Sequence, residues 1–271
     1  MQTKPNFYIR CSQLSKVMTE PKAKHPLILL KDIDKKINDC EDTEQLVSLL
    51  REKGRLERLA KIPHLSVGAK TYLREVYTSI VYGREKEIES KYLRKGLNVE
   101  EDAITLLSLV DNRLYKKNTV RVFEDGLTGE IDIEDTYEED HILDTKASWD
   151  IFTFFNKKDQ ELDDVYYWQA QGYMSLFNKS RATVAFCLVD TPDEILKIEE
   201  KKLSYKYQND DPLLQEELES LKKRHKFSDI PMKSRVIKFK VDRCDSDIEK
   251  LKQRVQDCVT YLNFLYDEDF G

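Results

Sequence analysis

Residues 127–147 read LTGEIDIEDTYEEDHILDTKA, two alternating stretches separated by an acidic turn. In the first, Leu127, Gly129, Ile131 and Ile133 fall on one face and Thr128, Glu130, Asp132 and Glu134 on the other. That period of two is expected of a strand with one buried side. In the second, HILDTKA at 141–147, Asp144 and Lys146 are two apart and project from the same face. If the two stretches lie side by side as antiparallel strands, Asp132, Asp144 and Lys146 converge on one point. Singly, neither stretch says much. An alternating acidic strand also suits a solvated hairpin, and D-x-K recurs by chance in a chain with 35% charged residues, as at Asp34-Lys35-Lys36.

Upstream, a helix is expected over about 98–115. Glu100, Ala103, Ile104 and Leu107 follow the i, i+3, i+4, i+7 spacing of one otherwise apolar face, while Glu101, Thr105, Ser108 and Asn112 share a polar one. Asn98 and Glu101 have the spacing of a capping arrangement, which gives Glu101 a local role. Glu100 is left at the interior edge, where an ionised carboxylate is costly unless paired or metal-bound. Downstream, Asp163 or Asp164 starts a helix over about 163–178, on which Gln169 and Tyr173 share a face. Gln169 could hydrogen-bond a carboxylate of the site or a metal-bound water, with Tyr173 beneath it; ordinary core packing also accounts for this aromatic cluster. Carboxylates so arranged suit a hard divalent cation. Such a cation activates water and neutralises a phosphoryl oxygen, and a lysine beside it can stabilise charge developing at phosphorus.

The remaining chain reads as α/β. Strands are expected at TVRVFED (119–125), LTGEIDIE (127–134) and HILDTKA (141–147), then at TVAFCLV (183–189), buried on both faces, and SRVIKFKVD (234–242). A closing amphipathic helix follows at about 245–266. Residues 6–20 suggest a short extended stretch leading into a helix with Ser12 at its N-cap. Residues 27–95 read as a helical arm, with one helical run from Ala69 to Leu93, and 192–228 as a charged helical insertion broken near Asp211-Pro212. The expected organisation is an N-terminal strand, helix and arm over 1–95, and a core over 96–271 with its insertion at about 192–232.

The 271 residues carry 14 Tyr and 11 Phe, more aromatics than a disordered chain would hold. The net charge of -6 leaves a nucleic-acid partner open, since a local basic groove suffices for phosphate and a carboxylate site lowers the formal sum. Cys11, Cys40, Cys187, Cys244 and Cys258 form no C-x-x-C pair and read as free thiols of a reducing compartment. No apolar run suggests a membrane span or a leader, so a soluble, cytoplasmic protein without a membrane partner is expected.

Taken in order, Gly96-x-x-x-Glu100, Gly129-x-x-Asp132, Asp144-x-Lys146 and Gln169-x-x-x-Tyr173 resemble the four signature motifs of the RecB-like branch of PD-(D/E)XK nucleases. More narrowly the chain resembles phage-encoded exonucleases of the YqaJ and lambda-exonuclease group, through IRCSQLSKVMT, LSVGAKTYLREVY, KYLRKGLNVEEDAI and DTKASWDIFTF. The resemblance runs from about residue 8 to 190, and the final strand and helix fit the same pattern. It implies a restriction-endonuclease-like core, a central mixed sheet flanked by helices. It also implies Mg2+ or Mn2+ on Asp132, Asp144, the Thr145 carbonyl and Glu100, with Lys146 assisting the attacking water and Gln169 supporting the site. The implied activity is digestion of double-stranded DNA from its ends in recombination or DNA processing, beside a single-strand-annealing recombination protein, in the host cytoplasm if the chain is phage-encoded. Lambda-type members form rings; a homo-oligomer is compatible with the motifs and not dictated by them. The scattered cysteines do not match the tight late group of iron–sulfur members, so no cluster is expected.

Candidate DNA contacts are Arg10 and Ser12 at a helix start, Lys95 before the Glu100 helix, and Trp149, Phe152, Lys157 and Lys158 after the lysine strand. An aromatic there could stack on a terminal base or wedge the strands apart. Two other readings stay open: a structure- or site-specific endonuclease of the same fold, and an inactivated nuclease fold serving as a DNA-binding scaffold. The second would be expected to lack an acid or the lysine, and none is missing.

Overall fold

The structure is a computed structural model that describes residues 4–86, 90–207 and 211–271. The chain forms two compact units. Met1–Lys86, Phe123–Thr128 and Asp245–Gly271 make one, and Glu87–Val122 with Gly129–Cys244 make the other. The closing helix, expected with the 96–271 core, groups with the N-terminal residues.

The first unit is mainly helical. Strand β1 (Ile9–Arg10) leads through a 3-10 turn at Cys11–Gln13 into a single turn of helix, α1 (Leu14–Val17). Ser12 sits inside the 3-10 turn, so it does not cap a helix; Gln13 occupies the N-cap of α1 and makes no side-chain cap. Helices α2 (Pro26–Asn38), α3 (Thr43–Ala60) and α4 (Val67–Tyr82) follow. Asp42 accepts from the amides of Glu44 and Gln45 to start α3, and Ser66 accepts from Ala69 N to start α4. Gly83, at φ 61°, ends α4 in the left-handed region. The run expected through Leu93 is therefore two helices, the second being α5 (Lys91–Asn98); residues 87–89 of that run lie outside the described residues. Strands β2 (Val122–Glu124) and β3 (Leu127–Gly129) join β1 in a mixed sheet of order β1-β3-β2. A Cβ on Gly126, at φ 80° in the turn between them, would meet Val259 Cγ2 at 2.8 Å, on the closing helix α11 (Asp245–Phe270).

The second unit opens with α5 and α6 (Glu100–Asp111) and is built on a mixed sheet of order β4-β5-β6-β7. The strands are β4 (Ile133–Glu134), β5 (His141–Ala147), β6 (Arg181–Cys187) and β7 (Val236–Asp242). β5 and β6 run parallel and the outer pairs antiparallel. The crossover from β5 to β6 carries α7 (Ile151–Phe155) and α8 (Asp164–Leu176). Between β6 and β7 lie α9 (Asp193–Lys206) and α10 (Pro212–His225), the latter started by Asp211, which accepts from Leu213 N, and by Pro212 in the first turn. On one face of the sheet, Ala103, Ile104 and Leu107 of α6 pack against Ile133, Leu143, Ala185 and Cys187. On the other, Val184 and Phe186 meet Phe154 and Phe227. From Ala182 to Cys187 β6 is thus buried on both sides, in keeping with its largely apolar sequence.

The stretch 127–134 is not one strand. It is split between β3 and β4, which lie in different sheets, with Glu130 to Asp132 as the link. Asn118 explains the break: its amide donates to Asp132 O and its side chain to Ile131 O, so these carbonyls are taken up outside any ladder. Burial still alternates from Gly129 to Glu134, which is the pattern the sequence displays. Among the described residues no helix is long and apolar enough to cross a membrane.

Candidate active site

Glu100, Asp132, Asp144, Lys146 and Gln169 all belong to the second unit. β5 supplies Asp144 and Lys146, two apart on the face toward α8. Asp144 is opposite Val184 on the inner strand β6 and is 4% exposed, whereas the Lys146 side chain, nearer the strand end, keeps 24%. The Lys146 ammonium is 2.5 Å from Asp144 Oδ2. The contact is a charge-assisted pair, and among the described residues the buried Oδ2 has no further hydrogen-bond partner. The other oxygen, Oδ1, accepts from Gln169 Nε2 at 3.3 Å, and the same amide donates to the Tyr173 hydroxyl at 2.9 Å. The i, i+4 spacing on α8 thus places amide and phenol under the carboxylate. Gln171, on the same helix, instead joins Asp242 O and Cys244 N and ties α8 to the end of β7.

Asp132 reaches the same place from the link before β4. Its Oδ2 accepts from the Thr145 amide at 2.6 Å and the Thr145 hydroxyl at 2.8 Å, which fixes it beside Asp144. Glu100 is the first residue of α6, with its side chain 27% exposed, and Glu101 points to solvent. The face assignment read from the helical spacing agrees with this, but the capping arrangement does not form. Asn98 is the last residue of α5, Val99 takes the N-cap of α6, and no side chain caps it, because the two helices abut. Glu100 Oε1 is instead 3.0 Å from Lys117 Nζ.

The electrostatics follow from this crowding. Burial pushes the Asp144 carboxyl up to about 7; Lys146 opposes the shift, and the like charges of Asp132 and Glu100 add to it. Burial works against the Lys146 ammonium, yet Asp144 and then Asp132 hold it above its ordinary range. The hydrogen bond and charge of Glu100 raise Lys117, with Glu101 and Asp132 contributing. Three carboxylates and two ammonium groups are therefore coupled in one site. Glu100, Asp132 and Asp144 offer hard oxygens that could hold Mg2+ or Mn2+, the buried Asp144 Oδ2 facing the Lys146 ammonium.

The expected DNA contacts fare unevenly. Lys95 is not at the surface: it is 1% exposed, and its ammonium donates to the carbonyls of Ser148 and Trp149 at 2.7 and 2.9 Å. It anchors the turn that follows Lys146, and burial pushes its pKa down to about 7. Trp149 is half-buried. Tyr92 and His225 meet its ring edge-on with centroids at 5.1 and 4.9 Å, and the Lys91 ammonium is 4.5 Å from its centroid. Lys157 pairs with Asp163 beside the Phe186 ring, and Lys158 is exposed next to Phe155. On α7 the exposed aromatics are Phe152 and Phe155. Arg10 and Ser12 are exposed residues of the first unit.

Two features escaped the sequence reading. Lys117 has no local pattern to mark it, since it reaches the site through an isolated antiparallel bridge to Ile133. Asp135, Glu138 and His141 place one potential ligand atom each within 4.8 Å of one another, a spacing that Glu100, Asp132 and Asp144 do not meet. Those atoms are already engaged, however. Asp135 accepts from Tyr137 N, Arg113 and His141; Glu138 pairs with Arg113 and Arg181; and His141 Nε2 meets the Thr183 hydroxyl. The cluster is a satisfied network that ties the 135–141 turn to β6.

No protein-family model matches the chain, and no curated protein does. Among solved structures it is similar to a phage-related exonuclease from Haemophilus somnus 129PT, at 26% identity over 97% of each chain with a TM-score of 0.64. It also shares its fold with LHK-Exo, an alkaline exonuclease from Laribacter hongkongensis, at 10% identity over 96% of this chain and 90% of that one, TM-score 0.56. The complex of LHK-Exo with dAMP gives 12% identity and a TM-score of 0.55.

Proposed function

We propose that the chain is a divalent-metal-dependent DNA exonuclease of the PD-(D/E)XK type, hydrolysing phosphodiester bonds from duplex ends. The observation that carries the reading is Asp144. It is a buried carboxylate bracketed by Lys146 and Gln169 and coupled to Asp132 and Glu100, in a chain similar over 97% of its length to a phage-related exonuclease. A structural ion pair needs no ring of further acids, and like charges brought together at a partly buried site suggest a cation.

Glu100, Asp132 and Asp144 would hold Mg2+ or Mn2+, which supplies a water of lowered pKa and neutralises charge on the phosphoryl oxygen. The protein's own contribution is positioning and proton control. Gln169 fixes the rotamer of Asp144 through Oδ1 and leaves Oδ2 for the site, with Tyr173 accepting the second hydrogen of the amide. Thr145 fixes Asp132 with two donors, so neither carboxylate must be ordered during reaction. Lys146, partly exposed and protonated, can donate to the attacking water or to the phosphoryl oxygen. Lys95 keeps the backbone after Lys146 in place. A role beside a single-strand-annealing protein in recombination follows from the same resemblance and is proposed with it.

The test compares end-labelled linear duplex with covalently closed circular DNA in Mg2+. Consumption of the linear duplex with circles intact supports exonuclease action. Nicking of closed circles at a matching rate would favour the endonuclease reading.

A further inference from the structure

The three carboxylates are held in three different ways. Asp132 is fixed by the amide and hydroxyl of Thr145, and Asp144 by the Gln169 amide together with Lys146. Thr145 and Gln169 are neutral donors that leave the acid its charge and can stay in place when a cation arrives. Glu100 Oε1 faces a full positive charge, Lys117 Nζ at 3.0 Å, as Asp144 Oδ2 faces Lys146, but among the described residues no neutral donor holds it as Gln169 holds Asp144. A divalent cation and an ammonium cannot share that oxygen without strong repulsion.

The placement of Lys117 is built into the backbone. Lys117 bridges Ile133, the residue after Asp132, and Asn118 donates to Asp132 O at 2.7 Å and to Ile131 O at 3.0 Å. The lysine stem therefore starts from a fixed point beside the carboxylates, and the ammonium lies at the mouth of the site, its side chain 38% exposed. In this state Glu100, Asp132 and Asp144 do not form a close three-ligand cage. We propose that Lys117 is a resident counter-ion of the carboxylate site, which competes with the divalent cation for Glu100 and so sets the metal affinity of the DNA-free protein. The inference rests on the metal-dependent reading above and goes beyond it: Lys117 is a positioning residue for Glu100 in the resting protein, displaced toward solvent when the site loads. Its flexible, exposed stem allows that movement without disturbing the backbone bridge.

The experiment measures Mn2+ binding to the DNA-free protein by calorimetry and by electron paramagnetic resonance, with circular dichroism and a thermal melt to verify folding. Lys117→Met removes the charge and keeps the stem; its Kd for Mn2+ should fall on the order of tenfold, the effect of one positive charge a few ångströms from a divalent ion in a solvent-screened site. Lys117→Arg retains the charge and should stay close to wild type. In a Glu100→Gln background, Mn2+ binding should be weaker, and the gain from Lys117→Met should shrink, because the contested oxygen has lost its charge. If wild type binds Mn2+ and Lys117→Met binds it equally or more weakly, the counter-ion role is overturned while the metal site stands. If neither protein binds Mn2+, the metal-dependent reading fails and this inference falls with it.

Discussion

Asp144→Asn should make the metal-free protein more stable at neutral pH, and the gain should vanish in acid. Burial and two neighbouring acids lift the Asp144 carboxyl from 3.8 to about 7 in the folded chain. An acid whose folded pKa lies above its unfolded value costs nothing below about pH 4. Its penalty grows as pH rises through the interval between the two values and is complete above about 7. A lift of this size corresponds to about 4 kcal/mol at most, at 1.36 kcal/mol per unit. Asparagine escapes that penalty but leaves Lys146 without its 2.5 Å partner, so the net gain at pH 8 should be smaller, about 1–3 kcal/mol. The slope is cleaner than the offset. Lys146 stays protonated from pH 5 to 7, so the gap between variant and wild type should widen by roughly 2–3 kcal/mol over that range. The assay is urea unfolding of both proteins in EDTA at pH 5, 6, 7 and 8. Added Mg2+ should then stabilise wild type and not the variant, since only the folded wild-type site binds it. A pH-independent loss of stability in Asp144→Asn would refute the reasoning, because it would make Asp144 an ordinary structural partner of Lys146.

Three further expectations can be checked, two with single variants and one by thiol labelling. Glu100→Gln should cripple Mg2+-dependent cleavage, whereas Glu101→Gln, exposed and without a capping role, should keep near-wild-type rates and stay within about 0.5 kcal/mol in stability; steady-state nuclease assays and urea melts decide it. Lys158→Ala should reduce the salt dependence of duplex binding by about one unit of slope, while Lys95→Met, whose ammonium is spent on two carbonyls inside the protein, should leave the slope unchanged in an anisotropy titration. Burial pushes the Cys187 and Cys258 thiols up to about 12, so a thiol reagent should label half-buried Cys40 and Cys244 quickly and these two only on unfolding, as peptide mapping would show.

The parts of the site legible in the sequence are those carried by short periodic elements. HILDTKA becomes β5 over the expected residues, and with it the shared face of Asp144 and Lys146. Gln169 and Tyr173 meet as their helical spacing requires, and the spacing of α6 separates Glu100 from Glu101. What was lost depends on long-range partners. Periodicity registers which side of the chain is buried, not which strand it pairs with, so LTGEIDIE gave no sign of the break that Asn118 imposes. A lysine next to a functional helix looks like a phosphate contact until the carbonyls of Ser148 and Trp149 are seen to close over it. Lys117 is set beside Asp132 by one bridge between segments sixteen residues apart, and no pattern within either segment announces it.

The central claim is that Asp132, Asp144 and Lys146 perform metal-assisted hydrolysis of DNA. The most direct measurement is the release of acid-soluble nucleotide from linear duplex by wild type, Asp132→Ala, Asp144→Ala and Lys146→Ala, each verified as folded, with Mg2+ and with EDTA. The account predicts release by wild type in Mg2+ alone, and none above background from any of the three variants. Near-wild-type release by folded Asp144→Ala, or undiminished release by wild type in EDTA, would contradict it.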